Sequence, residues 1–412
     1  MTFHTRQSCR LCSGPLRTIL ELEPTPPANA LVSRARMLHA DPWVAGSKPL
    51  REPSYPLTLA QCTTCQHVQL PHVVDPSLLF TDYAYQSGTS PVFREHLSAL
   101  AHAVSLRLFP EDLVIDIGSN DGTLLREFIT GRVLGVDPAR NLAEKATDGG
   151  ILTYPGFLTP NTAMAIVKAA GKAKRALALN VMAHADNLQD MALAIWALLA
   201  DDGELILEVA YLPDMLRDGT FDMIYHEHLA FWHLAPMAPF FAKAGLCLYD
   251  AEHVDTQGGS IRCYVSKARK QPTDRLVSLM AQEKWLVTDE AFAKFRARIA
   301  TAKTGLTELL AAIKAKGKRI AAFGCPAKAT TLLHHFGIGR ETIQYIVDEN
   351  PLKQGKFSPG KHIPIVSAEK FRADPPDYCV ILGWNFEANI RARHDWFEGG
   401  WILPMPEVKV VE

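Results

Sequence analysis

The chain has no apolar run long enough to cross a bilayer. Its longest, Met191 to Ala200, is well short of the ~20 residues a spanning helix needs. It also lacks a surplus of either charge: 43 Lys and Arg stand against 44 Asp and Glu. The basic stripe that nucleic-acid binding requires is therefore missing, and neither nucleic acid nor membrane is an expected partner. The amino-terminal Met-Thr-Phe-His-Thr-Arg-Gln-Ser-Cys has no apolar signal core, so a cytoplasmic location is expected. In that compartment eight cysteines read as reduced thiols or metal ligands rather than disulfides.

What is present is an ordinary globular composition, 48% apolar and 21% charged, over 412 residues. That length suits two or three domains. The most informative stretch is Asp116-Ile-Gly-Ser-Asn-Asp-Gly122, which follows the apolar Leu113-Val114-Ile115. A strand that runs into a glycine turn and then a helix lets a ligand approach the backbone closely. A second apolar stretch, Val133 to Val136, ends in Asp137, and an acid at that spacing suits the hydroxyls of a ribose. The turn is not G-x-G-x-x-G, so the nicotinamide fingerprint is absent.

Cys9-Arg-Leu-Cys12 and Cys62-Thr-Thr-Cys65 are two C-x-x-C pairs. Together they supply the four thiolates that structural zinc prefers, with no position left open for catalysis. His67 as a replacement ligand and a redox C-x-x-C are the alternatives, both weaker. The intervening insert is proline-rich and reads as extended chain and short strands. Beyond Cys65, Phe80 to Ser90 contains Tyr85, Ser87 and Gly88, and either covers a cofactor or serves as a surface linker.

From Glu111 apolar runs alternate with helical stretches. Strands are expected at 113–117, 133–137, 151–154, 175–180 and 204–209, and helices at 121–130, 140–146, 160–170 and 187–200. This predicts an α/β fold with a doubly wound parallel sheet, whose ligands sit at the carboxyl ends of the strands. Gly118, Asn120, Asp137, Phe157 and Asn180 are the cofactor-contacting candidates there. Phe157 either covers an adenine face or packs in the core. His184 follows Asn180 by four residues. Further on, Tyr225-His-Glu-His228 packs four titratable groups together. An extended backbone would turn His226 and His228 one way, whereas a helical turn would bring Tyr225 to His228. The spacing does not fit a zinc-protease helix, so acid–base chemistry is the better reading. Gln257-Gly-Gly-Ser260 offers backbone N–H groups to a substrate or forms only a hairpin turn.

The helical stretch 274–316 leads into a second strand–turn–helix, Arg319 to Lys328 and on to Phe336. Gly324 lies in its turn, and Lys328 in the first helical turn suits a phosphate. Asp348 ends the next strand, where a ribose would bind. Lys356 and Lys361 belong to the loop 353–362, which either closes on a diphosphate or is a solvated basic loop. Asn385 follows the strand 378–382 in Gly-Trp-Asn-Phe.

These elements appear in order from Cys9 to Asn385: C-x-x-C-x-H-V-Q, Tyr85-Gln-Ser-Gly, D-I-G-S-N-D-G, the Asn180–His184 loop and Y-H-E-H, then Q-G-G-S-I-R, F-G-C-P-A-K, V-D-E-N-P and G-W-N-F. In this the chain resembles the S-adenosylmethionine (SAM)-dependent nucleotide-sugar C-3-methyltransferases of branched deoxysugar biosynthesis. The resemblance implies a zinc-binding domain (1–75), a class I SAM methyltransferase domain (76–270) and a Rossmann-like α/β C-terminal domain (271–412) completing the nucleotide-sugar site. It implies structural zinc on Cys9, Cys12, Cys62 and Cys65. Catalysis maps onto Tyr225, Glu227 and His228, with His184 nearby. Ser87-Gly88 departs from relatives that often have two serines. The implied reaction is SAM-dependent methylation at C-3 of an NDP-4-keto-6-deoxyhexose through an enolate. The alternatives are an O-methyltransferase acting on another small metabolite and a non-catalytic zinc- and SAM-binding protein. A monomer is expected, although an oligomer is compatible with the sequence.

Overall fold

The computed structural model describes residues 2–39, 50, 52–80, 88, 91–256 and 258–411. The chain divides into two compact units that interleave in sequence. One comprises residues 1–17, 60–213 and 229–287, the other 18–59, 214–228 and 288–412.

The first unit is built on a seven-stranded sheet. Leu113–Ile117 is the strand at which its order reverses, with Arg132–Asp137 and Thr153–Pro155 on one side. Ala173–Leu179, Leu199–Ala210, Ser260–Ser266 and Cys247–Val254 follow on the other. Numbered along the chain the order is 3-2-1-4-5-7-6, and Ser260–Ser266 runs antiparallel to both its neighbours. The order reverses at the first strand, which opens a crevice at its carboxyl end. All five residues of that strand are buried, as expected of a parallel strand covered on both faces. Helix Pro91–Ser105 covers one face. Its Phe93, Leu97, Leu100 and Val104 follow helical spacing and pack with Val114, Leu124 and Leu125. Leu97→Ala would cost about 2–5 kcal/mol.

Helix boundaries follow local chemistry where the sequence supplies it. Pro160–Ala170 starts at Thr159, whose hydroxyl accepts from Thr162 N at 3.1 Å, and stops at Gly171. Asn187 caps Leu188–Leu198 in the same way. The helix expected over 121–130 is shorter, Thr123–Arg126. Beyond it Glu127 and Phe128 bond three residues back, and Gly131 with φ 89° turns the chain into the next strand.

The second unit holds a six-stranded sheet in the order Ile365–Val366, Ile346–Val347, Ile320–Phe323, Tyr378–Ile381, Gly400–Leu403, Lys409–Val411. This is 3-2-1-4-5-6 with an antiparallel last strand, the Rossmann-like order. Helix Asp289–Ala315 precedes it, capped by Thr288. The proline-rich insert contributes strands Leu16–Thr25 and Tyr55–Cys62, as expected, and also one short helix, Arg34–His39. Among the described residues no helix is long and apolar enough to cross a membrane.

Candidate active site

The four cysteines converge. Their sulfurs all lie within 4.8 Å of one another, with Cys9 to Cys65 at 3.6 Å and Cys12 to Cys62 at 3.4 Å. Tetrahedral zinc with Zn–S bonds of about 2.3 Å calls for sulfurs roughly 3.8 Å apart, so the donor set fits the ion. Backbone N–H groups of Leu11, Gly14, Thr64 and Cys65 each point at a cysteine sulfur at 3.4 Å and favour its thiolate. The knuckles turn through Ser13 and Gln66, both at positive φ. A Cβ on Gly14 would stand 2.5 Å from the Thr64 hydroxyl, so glycine is required where the two knuckles meet. His67 is buried beside Trp232, outside the sulfur set.

At the carboxyl end of the seven-stranded sheet, Gly118 has φ 74° and donates to Val136 O at 2.7 Å. A Cβ there would meet Val181 at 2.3 Å, so both conformation and packing demand glycine. Asp137 is buried and accepts Asn120 N on one oxygen and Ala139 N on the other, each at 2.8 Å. Burial pushes its carboxyl up against those two donors. Asp116 is driven well above the usual carboxylate range by burial and by Asp137. Asn180 ends the fourth strand at φ 58° and donates its N–H to Glu208 O at 2.7 Å. Phe157 is 53% exposed, which removes the core-packing alternative. It lines a cleft of about 320 Å³ with Asp75, Pro76, Ser77, Phe80 and Pro138. The structure thus brings Gly118, Asn120, Asp137, Phe157 and Asn180 to one end of one sheet. Tyr85 and Ser87 lie outside the described residues, as does Gln257. Gly88 is described, and a Cβ on it would sit 2.9 Å from the Thr123 hydroxyl, beside the Gly118 turn. His184 meets Phe80 edge-on, ring centres 5.8 Å apart. Gly258 and Gly259, both at positive φ, make the hairpin turn between the last two strands.

In the second unit, Tyr225 to His228 is a tight turn, closed by His228 N donating to Tyr225 O at 2.8 Å. The helical-turn alternative therefore holds. Tyr225 Oη lies 2.7 Å from His228 Nε2. His228 Nδ1 lies 2.9 Å from Met223 O, a carbonyl that can only accept. That contact places the imidazole proton on Nδ1, leaves Nε2 with its lone pair, and makes the Tyr225 hydroxyl the donor. Glu227 is buried and accepts from Asn29 Nδ2 at 2.7 Å. Helix Ala327–Phe336 holds this segment: Thr331 donates to Ile224 O at 2.7 Å, and Phe336 stacks on Phe221.

Lys328, in the first turn of that helix, is buried. Its Nζ donates to Asn385 Oδ1 at 2.6 Å and lies 3.6 Å above the centre of the Trp384 ring. Burial pulls its pKa down to about 8, with Asp222 acting in the other direction. Trp384 Nε1 donates to buried Asp222 at 2.7 Å, and burial raises the Asp222 carboxyl against the pull of Lys328. Gly324, at φ 82°, opens the turn before Lys328. Asp348 accepts Cys325 N and Asn350 N, and Lys353 Nζ approaches it at 3.2 Å. Lys356 and Lys361 lie in a segment pinned by a mutual backbone pair between Phe357 and Val32 and by buried Ser358 and Pro359. The backbone of this loop is held in place, while Lys356 and Lys361 themselves are half-buried. Asn29 and Asp222 carried no local signal of their own, and Trp384 was visible only as part of the Gly-Trp-Asn-Phe motif. Asn29 sits in the proline-rich insert, and only the fold brings it to Glu227.

Three family models match in chain order: a zinc binding domain over residues 9–80, a methyltransferase domain over 92–250, and a C-methyltransferase C-terminal domain over 255–406. The C-methyltransferase NovU of Streptomyces niveus is 33% identical over 371 residues, covering 87% of this chain and 88% of that one. The chain belongs to this C-methyltransferase family. The solved structures named next each cover less than half of this chain. The magnesium protoporphyrin IX methyltransferase of Synechocystis PCC 6803 with bound SAH is 19% identical, covering 42% of this chain and 83% of that one at TM-score 0.32. A SAM-dependent methyltransferase from Anabaena variabilis is 15% identical, covering 43% and 85% at TM-score 0.35. The fold is that of the class I SAM methyltransferases, as the strand order and the family model show, with a zinc-binding amino-terminal domain and a C-terminal α/β domain. The C-methyltransferase uses SAM as methyl donor and carries a four-cysteine zinc site.

Proposed function

We propose that this C-methyltransferase methylates C-3 of an NDP-4-keto-6-deoxyhexose in branched deoxysugar biosynthesis, in the cytoplasm where its thiols stay reduced. The observation that carries the reading is the Tyr225–His228 pair with its tautomer set by Met223 O. A C–H bond beside a ketone loses its proton only to a positioned base, and the carbanion survives only as an enolate. His228 is the base, through Nε2. When the 4-keto oxygen enters, the Tyr225 hydroxyl turns to it, uncovers Nε2 and donates to the oxygen as negative charge develops. Glu227, fixed by Asn29, supports the turn. His184 is the alternative base.

SAM supplies an electrophilic methyl group. Gly118 and Asn120 shape the turn for it, Asp137 takes the ribose hydroxyls, and Phe157 covers the adenine. Asn180 contributes at the strand end, and Tyr85 and Ser87 are further proposed cofactor contacts. In the second unit Gly324, Lys328, Asp348, Lys356, Lys361 and Asn385 are the proposed nucleotide-sugar contacts. Two nucleotide-type sheets in one chain support a substrate that carries its own nucleotide. The zinc has no step in this chemistry.

The decisive experiment follows exchange of the C-3 hydrogen with deuterated water in the presence of a non-reactive SAM analogue. Wild type should exchange, and His228→Asn should lose the exchange together with about 10²–10⁴ in kcat. Undiminished exchange in that variant would move the base role to His184 or Tyr225. Absence of a carbon-methylated product from any NDP-4-keto sugar would remove the substrate assignment.

A further inference from the structure

One side chain inside the zinc knuckles does work that metal binding does not require. Arg10 lies between Cys9 and Cys12, and its side chain has 0% exposure. Its Nη1 donates to Gln69 Oε1 at 3.0 Å, Leu70 O at 2.6 Å and Leu229 O at 3.1 Å, and its Nε donates to Asp186 Oδ1 at 3.2 Å. A fully buried guanidinium is costly, and breaking its partners is costlier still, so these contacts hold their geometry firmly.

The partners are not random. Leu229 directly follows His228 in the chain, and Asp186 lies two residues after His184. The two segments are also tied to each other, because Leu229 N and Ala230 N both donate to Ala183 O, at 2.7 and 3.1 Å. Arg10 therefore sits at the junction where both histidine-bearing segments are anchored. Its own backbone N–H donates to Gln69 Oε1 at 3.1 Å, so main chain and side chain grip the same amide.

We propose that Arg10 is a positioning residue for methyl transfer: it carries the rigidity of the four-cysteine site to residues 183–186 and 229–230, and so fixes the segment of His184 and the chain that leads out of His228. The proposal rests on the base roles given above. It makes the zinc site a fastener for the catalytic segments as well as a brace for its own fold. A misplacement of even ~1 Å in a reacting group can cost up to about 100-fold in rate, which is the scale at stake.

The test compares full-length Arg10→Met, Arg10→Lys and Asp186→Asn with wild type. It reads zinc per chain, backbone hydrogen–deuterium exchange by peptide, SAM affinity by calorimetry, and kcat and KM separately. Arg10→Met should keep its zinc and its SAM affinity and lose protection in peptides covering 181–190 and 226–232. Its kcat should fall about 10- to 100-fold with KM little changed. Arg10→Lys should restore part of both losses. Asp186→Asn should move both readouts the same way by less, and its side chain is 24% exposed, so the fold should tolerate it. A zinc-loaded Arg10→Met with wild-type protection and kcat within twofold would overturn the proposal. If Arg10→Met fails to fold, Asp186→Asn decides: unchanged protection and kcat there would overturn it equally. Backbone exchange needs no substrate. A wild type that methylates no NDP-4-keto sugar would therefore remove the substrate assignment while the exchange pattern still judged Arg10.

Discussion

Tyr225→Phe separates the two parts of the proposed acid–base pair. The substitution removes one oxygen and keeps the ring, whose centre lies 4.0 Å from that of His228. His228 keeps its Nδ1 bond to Met223 O, so the imidazole stays oriented. The structural loss is one half-buried hydrogen bond of 2.7 Å, about 0.5–1.5 kcal/mol, small beside a stability of roughly 5–15 kcal/mol. The variant should therefore fold. If the hydroxyl donates to the enolate oxygen, its loss removes one oxyanion donor, worth about 10²–10³ in kcat or ~2.7–4 kcal/mol. If it merely steadied His228, the loss would be much smaller, because Met223 O already orients the imidazole. The assay measures kcat for carbon methylation together with C-3 hydrogen exchange. Both should fall in parallel, since enolate formation is common to the two. A variant within threefold of wild type in both would refute the role given to the hydroxyl.

Three further outcomes follow from the geometry. Cys9→Ser should lower bound zinc from about one per chain and lower the melting temperature, as metal analysis and thermal unfolding will show. Asp137→Ala should weaken SAM binding by about 1.5–3 kcal/mol in a calorimetric titration, and Asp137→Asn by less, because its amide oxygen keeps one of the two backbone donors; unchanged affinity in both would count against the ribose contact. Lys328, with its pKa pulled down to about 8, is a cation below that pH and neutral above it, so KM for the nucleotide sugar should climb as pH rises through about 8; Lys328→Gln should raise KM at all pH values and abolish that limb while sparing SAM affinity.

Much of the sheet architecture was legible because parallel strands advertise themselves. Leu113–Ile115 opens its strand with a continuous apolar run, and Pro160–Ala170 carries both its cap and its stop in local sequence. The interleaving of the units was not legible. Residues 18–59 and 214–228 join the second unit through contacts with its helices more than a hundred residues away, such as Arg296 to Ile19 O and Thr331 to Ile224 O, and no local pattern encodes them. The site shows the same division. The cysteine spacing and the glycine turns declared themselves, since each needs a particular residue type at a particular backbone position. Y-H-E-H fits two periodicities equally well, and only packing against helix Ala327–Phe336 selects the turn that joins Tyr225 to His228. Lys328 read as a phosphate-suited cation at a helix start. A tryptophan and an asparagine far along the chain bury it instead.

The two glycine turns show how one backbone device can serve two chemistries. Gly118 N donates to Val136 O and Gly324 N to Val347 O, each at 2.7 Å. In both turns the acid that ends the second strand accepts an N–H from the turn and another from two residues beyond itself. These are Asn120 and Ala139 for Asp137, and Cys325 and Asn350 for Asp348. The carboxylate thus holds the turn before it holds any ligand. What differs is the charge around it. Asp137 feels burial first, then its two N–H donors, then Asp121, with no cation among those influences. Its remaining lone pairs suit neutral hydroxyl donors such as those of a ribose. Asp348 has Lys353 Nζ at 3.2 Å, and the same ammonium donates to Cys325 O at 2.9 Å. A cation is thereby built into the second turn, beside a helix N-terminus. The ammonium and the carboxylate pair with each other, so the second turn presents a charge pair beside that helix N-terminus where the first presents a carboxylate held by backbone N–H groups.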